Sequence, residues 1–156
     1  MSQLYFAYGS NLDLEQMARR CASAIPLGPA TLADVCLAFA GRSRTWGGGG
    51  VATLLPAPGA SVFGLLWSMT WEDWENLDRA EGVPSSYQRV EREVHPVDGA
   101  PQRAWVYIKP NPKLAPPSEA YRDVIARGYA RMGFPAEALQ AAVARSAGPT
   151  PGSRAP

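Results

Sequence analysis

The segment Tyr5-Phe6-Ala7-Tyr8-Gly9-Ser10-Asn11-Leu12 constrains this chain more than any other. Its aromatic-rich apolar run reads as a strand, and it breaks at Gly-Ser-Asn directly before a helix-like stretch, 13–20. A strand that enters a helix through a glycine-containing turn gathers free backbone N–H groups at one point. The helix dipole favours anions there. Gly9, with no Cβ, lets the main chain come close to a ligand. Ser10 and Asn11 add short polar side chains, and either Asn11 or Asp13 can cap the helix. Together these residues describe a pocket for a small molecule that bears a carboxylate.

Beyond this turn, strands and helices intermingle. Strands are expected over 28–40, 51–55, 61–69, 87–97 and 102–108. Pro56-Ala57-Pro58-Gly59 reads as a turn joining the second and third of these, and Asp98-Gly99 as a turn joining the last two. Helices are expected over 70–81, 118–132 and 135–146. Thr70 and Asp73 match a capping box, and Gly82, Val83 and Pro84 stop the first helix. Residues 42–50 end in four consecutive glycines and read as a flexible loop, and 110–117 as a proline-rich connector. Residues 1–146 form one domain, and 147–156 lack the apolar content to fold and read as a mobile tail. The fold class is α+β, a small mixed, strongly curved β-sheet or barrel with peripheral helices. Closure of the sheet is not written in the pattern.

Composition narrows the function by exclusion. With 46% apolar and 19% charged residues the chain is folded, and its net charge of +1 gives no field to steer nucleic acid or an anionic membrane. Basic residues are scattered and no apolar run is long enough to span a bilayer. The N-terminus lacks the charged-then-apolar pattern of a signal peptide. Cys21 and Cys36, the only cysteines, read as free thiols in a reducing compartment, so a cytoplasmic protein is expected. The only histidine, His95, reads as an exposed strand residue. One His and two separated Cys make neither a nucleophilic triad nor a zinc site, so no metal is expected. The glycine run lacks the ending of a phosphate-binding loop. Any catalysis must run on a carboxylate, backbone donors and tyrosine hydroxyls.

Glu81 is the candidate for that carboxylate. Trp74 and Leu77 lie seven and four residues before it, on one face of the expected helix, with Trp71 extending the stripe and Asp78 bordering it. The stripe must face the core, so Glu81 falls on the buried side of the helix end. A buried carboxyl has a raised pKa, as an acid/base group near neutral pH needs. On the residues alone, a surface role at a fraying end, or a pairing with Arg79 or Arg89, competes with this reading.

Five features in order along the chain resemble the gamma-glutamylcyclotransferase-like superfamily. They are Tyr8-Gly9-Ser10-Asn11-Leu12; Thr45-Trp46 with the glycines and Val51-Ala52-Thr53; and Val62-Phe63-Gly64-Leu65-Leu66-Trp67. The others are Leu77-Asp78-Arg79-Ala80-Glu81-Gly82-Val83 with Tyr87 downstream, and Ala115-Pro116-Pro117-Ser118-Glu119-Ala120-Tyr121 with Ile125 and Gly128. The resemblance covers residues 4–134. It implies a mixed barrel with a pocket at one mouth and Glu81 as acid/base. Tyr8, Gly9, Ser10, Asn11, Leu12, Tyr87 and Tyr121 would line the substrate. The implied reaction converts a gamma-glutamyl amide to 5-oxoproline and a free amine. The substrate's own amino group attacks, so no cofactor is needed.

The resemblance also implies a small-molecule gamma-glutamyl partner and, by analogy, a homodimer. Asn11 departs from the glutathione-specific branch, where leucine is usual. Arg42, Arg44 and Gly47 to Gly50 fall near the pocket rim without an assigned role. A related acyl-amide enzyme of secondary metabolism and a non-catalytic binding module are the alternatives.

Overall fold

In the computed structural model, which describes residues 3–148, the two strands expected at 51–55 and 61–69 are one, β3 (Val51–Met69). It runs antiparallel along β2 (Ile25–Ala40), from Ala40 opposite Val51 to Ile25 opposite Ser68. Pro56-Ala57-Pro58-Gly59 does not reverse the chain. Ala33 pairs with Ser61 and Val35 with Pro56, so β3 carries extra residues opposite Asp34. Extra residues on one strand bend and twist a ribbon, and such a bulge is where a strand accepts prolines, which have no N–H to give. Asp34 takes a left-handed φ of 64°, and its Oδ1 accepts the Gly59 N–H at 3.0 Å.

The bent ribbon closes on itself. β1 (Gln3–Ala7) pairs antiparallel with the far end of β3, Tyr5 opposite Trp67. β4 (Gln88–Pro96) and β5 (Gln102–Ile108) form a hairpin. β4 meets β2 at Thr31 opposite His95, and β5 meets β1 in parallel at Tyr5 and Trp105. The result is a closed barrel in the order β1-β3-β2-β4-β5. Phe6, Met69, Val94 and Val106 are wholly buried.

The helices lie around the barrel. β1 runs through a single 3-10 turn, Ser10–Leu12, into α1 (Leu14–Arg20), which Asp13 caps by accepting the Gln16 N–H at 3.2 Å. α2 (Trp71–Glu81) starts with the expected capping box of Thr70 and Asp73 and ends at Gly82 in the left-handed conformation. Buried Asp73 also accepts the Ser23 N–H at 3.2 Å, which ties α2 to the loop after α1. α3 (Glu119–Met132) packs on the 3-10 turn, with Gly128 under Leu12. α4 (Ala136–Ser146) covers β2, where Ser146 Oγ accepts the Phe39 N–H at 2.7 Å.

Trp74 and Leu77 are buried as the helical stripe requires, but Trp71 is 80% exposed. It stands about 120° round the helix from Leu77, off the stripe, and its indole donates to Glu75 at 3.0 Å instead. His95 is exposed on β4, and both cysteines are free. No helix among the described residues is long and apolar enough to cross a membrane. The tail expected from residue 147 onward lies, past Gly148, outside the described residues.

Candidate active site

The turn after β1 is built by close contact. A Cβ on Gly9 would stand 2.8 Å from the Cβ of Ala52, so only glycine lets the turn lie against β3. Within the turn, the Leu12 N–H donates to the Gly9 carbonyl and the Asp13 N–H to the Ser10 carbonyl, both at 3.0 Å. These bonds use carbonyls. Among the described residues, no backbone bond engages the amides of Gly9, Ser10 or Asn11, and all three residues line a cavity of about 250 Å³ at the barrel mouth. Leu12 does not line it. Its side chain packs against Gly128 of α3 in the core, where it fixes the turn from behind.

Glu81, the last residue of α2, enters the same cavity. Its side chain is 16% exposed. Oε1 accepts from Asn11 Nδ2 at 3.2 Å and lies 3.7 Å from Arg20 Nη1. Its cation partner is therefore Arg20, while Arg89 pairs with Asp78 at 3.6 Å and Arg79 donates to Asn76. Burial pushes the Glu81 carboxyl above its ordinary range. Arg20, Asn11 and the Lys109 ammonium pull it back, and Asp78 pushes it up again. Burial outweighs the cations because they sit partly in solvent, where their attraction is screened.

Tyrosines make the walls. Tyr8 donates its hydroxyl to the Tyr107 carbonyl. Tyr87 donates to the Ala52 carbonyl at 2.5 Å, and the Ala52 N–H donates to Tyr121 Oη at 3.0 Å. Tyr121 therefore keeps its own proton free to donate. Burial pushes its phenol up to about 12, so it stays protonated at neutral pH.

Residues 42–46 form the rim, and of the glycine run that follows, Gly47 and Gly48 stand in open space while Gly49 and Gly50 are packed. Gly47 and Gly48 take left-handed φ of 73° and 86°. A Cβ on Gly49 would meet Ser118 N at 2.4 Å, and one on Gly50 would meet Ala115 O at 2.2 Å. The Gly50 N–H donates to Pro116 O at 2.9 Å. The proline-rich connector thus lies directly on Gly49 and Gly50. The rim carries Arg42, Arg44 and Trp46 into the cavity lining, with Trp46 against Tyr121 at 4.9 Å between ring centroids.

The family model for gamma-glutamyl cyclotransferase, AIG2-like, matches residues 5–129. This chain belongs to that family. It is 38% identical to the gamma-glutamylcyclotransferase of Homo sapiens over 141 residues, 87% of this chain and 74% of the human one. The Bos taurus gamma-glutamylcyclotransferase gives the same identity and coverage. A solved structure of a gamma-glutamyl cyclotransferase superposes with a TM-score of 0.84 at 33% identity, covering 99% of this chain and 93% of that one.

Set in this family's fold, most of the residues marked in the sequence converge. Glu81, Tyr8, Gly9, Ser10, Asn11, Tyr87 and Tyr121 share one cavity. Sequence reasoning missed Arg20 and Lys109. Arg20 ends α1, about two turns beyond the signature loop, and no motif marks it. Lys109 follows β5; its Nζ donates to the Ser86 carbonyl at 3.3 Å and lies 4.4 Å from the Tyr87 ring centroid. Burial lowers its ammonium pKa, and Glu81 opposes that. The cavity carries four cationic side chains, Arg20, Arg42, Arg44 and Lys109, against one carboxylate, Glu81. Such a site holds an anionic reactant, moves a proton on one carboxyl group and offers hydrogen bonds from amides and a phenol.

Proposed function

We propose that this protein is a cyclotransferase that closes a gamma-glutamyl amide to 5-oxoproline and releases a free amino acid or amine, with Glu81 as its proton carrier. The observation that carries this reading is one cavity lined by both a partly buried carboxyl group and the Gly9-Ser10-Asn11 turn.

In the reaction, the substrate's α-amino nitrogen attacks its own γ-carbonyl carbon. A C–N bond forms in the ring and the amide C–N bond breaks. Glu81 takes a proton from the attacking nitrogen and gives one to the leaving nitrogen. Amides of the turn and the Tyr121 hydroxyl stabilise the oxygen that gains charge. The cations around the cavity hold the α-carboxylate, and Tyr8 and Tyr87 wall the folded substrate into attack geometry. The nucleophile belongs to the substrate, so the reaction needs no Ser or Cys nucleophile.

The test is 5-oxoproline release from a panel of gamma-glutamyl amino acids and amines. Release from at least one member, lost in Glu81→Gln with the fold intact, is expected. An unchanged rate in the Gln variant removes Glu81 from the mechanism. The same reading puts the enzyme in the cytoplasm, where two free thiols persist. It takes the enzyme as a homodimer by family resemblance, which sedimentation velocity tests.

A further inference from the structure

Asn11 is only 2% exposed, and its side chain makes four hydrogen bonds. Nδ2 donates to Tyr5 Oη at 2.8 Å and to Glu81 Oε1 at 3.2 Å. Oδ1 accepts from Gln16 Nε2 at 2.8 Å and from Arg20 Nη1 at 3.1 Å. The amide has one workable orientation. A guanidinium only donates, so Arg20 requires Oδ1; an ionised carboxylate only accepts, so Glu81 requires Nδ2. Two charged neighbours thus fix a neutral side chain, which in turn fixes the carboxylate.

We propose that Asn11 is a positioning residue. Its amide pins Oε1 of Glu81 beside the signature turn and favours the ionised carboxylate, leaving Oε2 as the oxygen that carries the proton. Among the described residues, Asn11 and Arg20 both engage Oε1 and no hydrogen bond engages Oε2. This assignment rests on Glu81 as proton carrier. It changes the part Asn11 plays: its side chain is fully occupied by protein groups, and only its backbone N–H is left to face substrate.

The groups around Glu81 set what a change at Asn11 does. Arg20 and Lys109 favour the charged carboxylate, and Asp78 opposes it. Tyr5, Tyr8, Tyr87 and Tyr121, together with buried Cys21, are held protonated by burial and stay neutral through the range in which Glu81 titrates. Loss of the Asn11 N–H donor therefore falls on Glu81 itself. A hydrogen bond to the charged form stabilises that form, so its removal raises the pKa.

Asn11→Ser takes away the Nδ2 donor and leaves only a shorter hydroxyl, without adding charge, and Asn11→Asp places an acceptor where Nδ2 stood. Carbon-13 titration of the Glu81 carboxyl, assigned against Glu81→Gln, reads the effect without any substrate. The Glu81 titration is expected to move up in Asn11→Ser. In Asn11→Asp the coupled pair is expected to titrate in two steps, the upper one about one pH unit or more above the wild-type value. The acidic limb of kcat/KM for 5-oxoproline release moves up with it, so each variant loses most at low pH and recovers toward wild type at high pH. A wild-type Glu81 titration in the folded variants overturns the proposal, as does a rate lowered equally at every pH. Loss of the fold in both variants assigns Asn11 to stability alone and overturns it too. If the wild type releases no 5-oxoproline, the functional reading fails, and the carboxyl titration still decides the role of Asn11.

Discussion

Tyr87 and Tyr121 hold a single residue, Ala52, from two sides: Tyr87 donates to its carbonyl at 2.5 Å, and its N–H donates to Tyr121 at 3.0 Å. Ala52 is the residue against which Gly9 packs, so the clamp sets where the signature turn can lie. Removing either hydroxyl leaves a buried backbone group without its partner. Tyr87→Phe and Tyr121→Phe are each expected to destabilise the fold by about 1–3 kcal/mol, measured by denaturant unfolding. Tyr121→Phe should also lower kcat, because its free proton faces the cavity.

Gly9→Ala tests the close approach directly. The added Cβ meets another Cβ at 2.8 Å, and neither atom has a torsion that can move it aside. The turn must shift instead. A stability loss of about 1–3 kcal/mol is expected from overpacking. A fall of about 100-fold in kcat/KM is expected from misplaced donors. Unfolding curves and 5-oxoproline assays on the same sample check both.

Glu81→Gln separates catalysis from stability. If Glu81 is the proposed proton carrier, its loss should lower kcat/KM by about 10²–10⁴-fold. Stability should change in the opposite direction. Burial raises the folded-state pKa of Glu81 above the unfolded value, so the native protein binds the proton more tightly than the unfolded chain. Wild-type stability from this group is therefore fully present below the ordinary carboxylate range and declines as pH rises through the raised folded value. The neutral Gln variant escapes that decline. Melting temperatures across pH should show Gln gaining on wild type from acid toward neutral pH, with the gain levelling off above the folded pKa.

The glycine run separates steric from conformational need. Gly50→Ala drives a Cβ to 2.2 Å from the Ala115 carbonyl oxygen and 2.9 Å from Ala40 N, both backbone atoms. Gly47→Ala meets nothing and costs only the left-handed φ, about 1–2 kcal/mol. The melting temperature should fall much further in Gly50→Ala. Gly50→Ala should also impair substrate binding, because the rim segment that carries Arg42, Arg44 and Trp46 must move.

The sequence by itself determined the local elements and the chemical type of the site. The α2 capping box, its Gly82 stop and the burial of Trp74 and Leu77 follow from short-range pattern, as does the break of β1 at Gly9. Glu81 was legible only in part: helical period puts it on the face of Trp74 and Leu77, but on the residues alone a surface role competes, and the family resemblance is needed to prefer the pocket. What the tertiary structure decided was pairing across distance. Proline and glycine at 56–59 signal a bend, but the pattern does not say whether the chain reverses or bulges. Register with β2 across Asp34 settles that, and barrel closure follows. Trp71 looked like core because it lies three residues before Trp74, yet its angle from Leu77 on the helix puts it in water. Arg20, Lys109 and the Ala52 clamp carry no sequence signal, because each acts through a neighbour that is remote along the chain. The same holds for Asn11, whose side-chain role depends on the distance from the 3-10 turn after β1 to the end of α2, a length that only packing sets.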